Sequence, residues 1–142
     1  MDNDLDRFLE AQRCNYDWAL TQIKSGQKRG HWMWYIFPQI KGLGYSETSK
    51  YYAINDIDEA KDYLKHPILG ARLQEISNEL LKLEQSDADL IFGSIDSMKL
   101  KSCMTLFWVA DKSNAEVFIK VIDKFFNGKY DERTLSLIKT LR

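Results

Sequence analysis

A chain of 142 residues has the length of one domain, and a globule of that size buries roughly 68–70% of the surface its unfolded chain exposes, enough for a hydrophobic core without staples. With 44% hydrophobic and 13% aromatic residues the composition excludes a disordered chain. The 20 Lys and Arg against 21 Asp and Glu leave a formal net charge of -1, which argues against nucleic acid as a partner and requires any anion site to be local.

In chain order, Leu5, Phe8, Leu9, Gln12, Tyr16, Ala19, Leu20 and Ile23 share one helical stripe, with Asp4 as the expected N-cap and Gly26 just past the end. Residues 27–46 break the periodicity with a basic knot, an aromatic run closed by Pro38, and Gly42 and Gly44 in the longest irregular stretch. Tyr51, Tyr52 and Ile54 end a short helix or strand. Asp56 with Glu59 reads much as a capping box for a helix over 57–65. Pro67 suits the first turn of the next helix, whose Leu69, Leu73, Ile76, Leu80 and Leu83 form a core-facing seam. A short turn over 88–92 stops at Gly93, and Ser94 or Asp96 is placed to cap a helix reaching Ala110. Asn114 opens a helix ended by Asn127-Gly128, and Asp131 caps the last. The pattern predicts an all-α fold of about seven helices in a single domain over residues 1–142.

Cys14 and Cys103 lie far apart, belong to no Cys-x-x-Cys pair and read as buried free thiols of a reducing compartment. His31 and His66 are the other soft ligands and no two of these share metal spacing, so neither a metal nor a cofactor is expected. No run of about 18 apolar residues occurs and the acidic start lacks a secretory signal's basic segment, which together predict a cytoplasmic protein without membrane spans.

Two constellations carry candidate chemistry. In the first, Lys28 and Arg29 are suited to phosphate, and Trp32, Trp34 and Tyr35 to stacking on a flat ring. His31 is the candidate proton-transfer group, against the competing reading of a packed, hydrogen-bonded histidine. If the run is extended, Trp32 and Trp34 share one face and Tyr35 the other. Gln39, Gly42 and Gly44 follow, the glycines allowing close approach of a ligand. In the second, Asp96, Lys99, Lys101 and Ser102 cluster near a helix start, where free N–H groups favour anions. The acidic group Asp56, Asp58, Glu59 and Asp62 reads as a solvated helix face.

Arg7-Phe8 with Ala11-Gln12, the run Gly30-His31-Trp32-Met33-Trp34-Tyr35-Ile36-Phe37-Pro38-Gln39, Tyr52-Ala53-Ile54, His66-Pro67-Ile68-Leu69-Gly70, and Phe92-Gly93-Ser94 leading to Lys99–Phe107 together resemble domain-of-unknown-function family 1810 of bacteria, fungi and plants. Some of its members carry the label calpastatin, which belongs to a polar, disordered inhibitor and does not suit this composition. The resemblance implies a mainly helical fold and no agreed activity. A fainter similarity is to the NAD- and ADP-ribose-associated proteins, which remove ADP-ribose or cleave N-glycosides. Ser49-Lys50-Tyr51 stands where they carry Glu-His-Tyr, and Lys99 to Met104 at their later Lys-x-x-x-x-Met; the glutamate is absent.

The expectation is a domain that binds a small anionic ligand, of nucleotide or ADP-ribose type, in a cleft between residues 28–46 and the start of the 96–110 helix. N-glycoside or ADP-ribose hydrolysis is the associated chemistry, and whether any bond is cleaved stays open. The alternative is a non-catalytic protein-interaction or regulatory module presenting the aromatic run and glycine loop to a partner or second copy. Oligomeric state is not legible.

Overall fold

The computed structural model describes residues 4–141, which are all helix, turn and loop apart from one isolated β-bridge. Helix α1 (Asp6–Ser25) lays Phe8, Gln12, Tyr16, Ala19 and Ile23 into the core at helical spacing and stops at Gly26, whose φ of +82° lets its N–H reach the carbonyls of Gln22 and Ile23. Asp4 does not cap it. Leu5 stands at the N-cap and its carbonyl takes the first N–H groups, while the Asp4 carbonyl accepts from the Arg7 guanidinium.

Helix α2 (Met33–Ile36) is one turn in the aromatic run, so the run is helical and not extended. Trp32, Met33, Ile36 and Phe37 therefore enter the core together, leaving Trp34 and Tyr35 half-buried. The chain then pairs in parallel with a distant loop: the Ile54 N–H donates to Gln39 O and the Lys41 N–H to Ile54 O, both at 2.8 Å. Between these strands of loop sits α3 (Glu47–Tyr51), capped by Ser46 Oγ.

Asp56 caps α4 (Ile57–Lys65), accepting the Glu59 N–H at 2.9 Å. The Glu59 carboxylate does not close a capping box or face solvent. It is fully buried, accepts the Asn55 N–H at 2.8 Å and pairs with Arg7 at 3.0 Å. Helix α5 (Leu69–Lys82) buries Leu69, Leu73, Ile76 and Leu80, as its seam predicts. Pro67 lies just before this helix, whose first N–H groups are taken by His66 Nδ1.

After α6 (Ala88–Phe92), Gly93 at φ +84° turns the chain directly into α7 (Ser94–Ala110), which has no side-chain cap. Asp96 lies inside the first turn of α7 and Lys99 in the second, neither at the boundary. Helix α7 packs against α4, α6 and α8 (Glu116–Phe126), and near its middle against α9 (Glu132–Thr140). Asn114 belongs to a single 3₁₀ turn and α8 starts two residues later; Asp131 caps α9. Among the described residues there are nine α-helices, not seven, the excess being turns too short to show a period.

The two thiols differ. Cys103 is wholly buried, which pushes its thiol well above the ordinary value, whereas Cys14 lies exposed on α1, contrary to expectation. No helix among the described residues is long and apolar enough to cross a membrane.

Candidate binding site

The loop after α2, the Ile40–Ile54 bridge and α3 enclose a cavity of about 400 Å³. Trp34, Gln39, Gly44, Lys41, Lys50 and Asn55 are in its wall. A second cavity of about 200 Å³ shares Trp34 and Gln39 and adds Lys99 and Ser102 from α7, Asp131, and Arg133 from α9. Trp34 and Gln39 thus form a common wall. A Cβ on Gly44 would stand 2.5 Å from Ser49 and 3.0 Å from Trp34, so only glycine lets the loop lie against both. Gly42, at φ +106°, offers its carbonyl to Arg133 at 3.3 Å, which ties the loop to α9.

Gln39 is the unusual member. Its side chain is 4% exposed, yet Nε2 has no hydrogen-bond partner. Leaving such a donor unmade costs about 1–3 kcal/mol. Gln22 Nε2 is in the same condition, but Gln22 belongs to neither cavity wall and uses Oε1 to accept from Trp32 Nε1 and the Arg29 N–H.

The 28–31 segment and the start of α7 do meet. Lys28 Nζ lies 2.8 Å and Lys99 Nζ 3.0 Å from the Asp96 carboxylate, and the Lys99 ammonium sits 4.3 Å above the Trp34 ring. Both lysines already have a carboxylate partner, which weakens their claim on phosphate. Burial alone would raise the Asp96 carboxyl, but hydrogen bonds and charge from Lys28 and Lys99 together outweigh it and hold the group below its ordinary value. A carboxyl depressed on folding contributes stability that is complete above its ordinary pKa and disappears as the pH falls through the lowered one. As the pH falls below about 4, urea midpoints should therefore fall more steeply for the wild type than for Asp96→Asn. At pH 7 the variant should be less stable by about 1–3 kcal/mol, since charge-assisted bonds to a nearly buried Lys28 are removed. Equal pH slopes would contradict this assignment.

The remaining predicted residues are scattered. Trp32 is a core residue, 1% exposed, and its ring carries Lys28 on one side at 5.0 Å. Tyr35 packs against Tyr52 at 5.3 Å, and burial raises its phenol. His31 and Arg29 are exposed and belong to neither cavity, and Lys101 also lies outside both. Lys41, Lys50, Asn55, Asp131 and Arg133 enter the walls without having been named as site residues, Asp131 having been read as a helix cap and Lys50 only as part of the fainter resemblance. Lys41 beside Gly42 could have been suspected; Arg133 is 91 residues from the glycine it bonds, and no local signal announces it.

No curated protein matches the chain. In the solved structure of the conserved hypothetical protein Rv1873 from Mycobacterium tuberculosis, 40% of aligned residues are identical, the alignment covers 96% of each chain and the TM-score is 0.93. A family model described as a protein of unknown function, DUF1810, matches residues 2–138. With nearly its whole length matched, the chain belongs to the DUF1810 family.

Proposed function

We propose that this chain is a cytoplasmic binding domain for a small anionic ligand of nucleotide or ADP-ribose type, held at the paired cavities around Trp34 and Gln39. The observation that carries the reading is a pair of adjoining cavities that share Trp34 and Gln39 as a wall, the larger of them also lined by Lys41 and Lys50. A carboxamide with both donor and acceptor suits the edge of a base, and an indole suits its face. Lys41 and Lys50, exposed and free of the Asp96 cluster, replace Lys28 and Lys99 as the phosphate partners. Hydrolysis of an N-glycosidic or ADP-ribose bond would need a carboxylate, and Asp131 is the one in the second cavity. Its Oδ2 is committed to capping α9, so binding, not cleavage, is the core of the reading.

Thermal shifts with AMP, ADP-ribose, NAD and ribose 5-phosphate test it. A ligand at a hundredfold excess over its Kd should add about 2.7 kcal/mol of stability. The double variant Lys41→Ala/Lys50→Ala should weaken the hit roughly tenfold without lowering the melting point of the free protein. A flat response to all four would reject the reading.

The exposure of Tyr45 (82%) and Tyr51 (57%) beside the larger cavity favours a second reading, a non-catalytic module that docks a partner or a second copy. Under it, Tyr45→Glu or Tyr51→Glu changes the mass in solution while nucleotides have no effect. An unchanged monomeric mass in both variants and the wild type removes the homodimer form of that idea.

A further inference from the structure

The smaller cavity has a polarity that follows from a fixed chain of protons. The Asp131 carboxylate accepts from both the N–H and the hydroxyl of Thr134. Thr134 Oγ1 lies 2.8 Å from Ser102 Oγ, and both residues are buried. A carboxylate has no proton to give, so the Thr134 hydroxyl is committed to Asp131 and the Ser102 hydroxyl must donate to Thr134. The far end is fixed as well, because the Asp131 N–H donates to Thr105 Oγ1 at 2.9 Å and the Thr105 hydroxyl donates to Lys101 O at 2.8 Å. Ser102 is left with lone pairs alone to offer the cavity that it lines.

An obligate acceptor in the wall disfavours phosphate or carboxylate oxygens and calls for an O–H or N–H donor. Arg133, in the same wall, can only donate. A hydroxyl is the small group that satisfies both, giving its proton to Ser102 and receiving one from Arg133. Gln39, which can do either, serves a neighbouring hydroxyl equally well. The volume of about 200 Å³ equals that of roughly seven waters at about 30 Å³ each, which suits a five-membered ring with its substituents and is too small for a whole nucleotide.

We propose that the smaller cavity is a pentose subsite, in which Ser102 accepts from a ring hydroxyl and Arg133 donates to one. This deepens the anionic-ligand reading, on which it rests, by assigning the ligand class as a ribonucleotide whose sugar is read separately from its base and phosphate.

The probes are AMP, 2′-deoxy-AMP and 3′-deoxy-AMP, titrated calorimetrically into the wild type, Ser102→Ala and Arg133→Ala. The expected result is that the wild type binds AMP about fivefold or more tightly than one of the deoxy analogues, the factor a single hydrogen bond commonly carries. Ser102→Ala should erase that preference while keeping its affinity for the same deoxy analogue. Arg133→Ala, a change at an exposed side chain that also loses the bond to Gly42 O, should reduce the preference too, and melting points of both variants close to that of the wild type guard against misfolding. Equal affinity of the wild type for all three nucleotides overturns the subsite while leaving the anion reading standing. Absence of binding by all three also overturns the subsite, and the anionic-ligand reading falls with it only if ADP-ribose, NAD and ribose 5-phosphate are silent as well.

Discussion

Gly70→Ala is expected to destabilise the protein by more than about 4 kcal/mol, and so to leave little of the roughly 5–15 kcal/mol typical of a domain. The added Cβ would lie 2.1 Å from the carbonyl oxygen of Leu64 and 2.9 Å from its carbon. Both are backbone atoms of α4, and α5 crosses them at this glycine, so relief demands that one helix move away from the other. Gly93 provides a contrast: nothing lies within 4 Å of its virtual Cβ, but φ is +84°. Gly93→Ala should therefore cost only backbone strain, since φ +84° with ψ 159° is a conformation almost reserved for glycine, about 1–3 kcal/mol. Urea unfolding of the two variants separates the causes, and a Gly70→Ala midpoint no lower than that of Gly93→Ala would refute the packing account.

Arg7→Met is expected to cost about 3–5 kcal/mol, because it strands the fully buried Glu59 carboxylate without its counter-charge. The loss extends beyond the pair. Arg7 Nε donates to Tyr51 O and Nη2 to Ala53 O, each at 2.8 Å, so one guanidinium holds α1, the end of α3 and the start of α4 together. The double variant Arg7→Met/Glu59→Leu removes both charges and should regain part of the stability. It should not regain all of it, since the carbonyls of Asp4, Tyr51 and Ala53 and the Asn55 N–H lose these partners. A double variant no more stable than Arg7→Met would show that the stranded charge is not the main cost.

What could be read from sequence here follows range of interaction. The stripe of α1, the Gly26 stop, the seam of α5 and the caps at Asp56 and Asp131 are set by residues within a turn or two of each other, and all stand as expected. The four residues of α2 cannot display a helical period, so whether Trp32 and Trp34 face together was undecidable until their surroundings were known. Capping failed at Asp4 and Asp96 for different reasons. Leu5 occupies the boundary in the first case, and in the second the carboxylate is drawn to Lys28, which approaches from a segment 68 residues earlier. Glu59 seemed to belong to an acidic, solvated face because its partner is 52 residues away. The candidate site shows the same division: Trp34, Gln39, Gly42 and Gly44 lie in one irregular stretch and were legible, whereas Lys50, Asp131 and Arg133 reach the cavities only through the fold.

The short parallel pairing of Ile40 with Ile54 has a consequence for how a ligand would be received. Two backbone hydrogen bonds lock the opposed walls of the larger cavity to each other, while Arg133 and Leu137 hold the intervening glycine loop against α9. The conformational entropy of those walls is lost when the chain folds, not when a guest arrives. A site built this way is preorganised: any occupant should alter its shape little, and selectivity would come from fixed dimensions and fixed polarity.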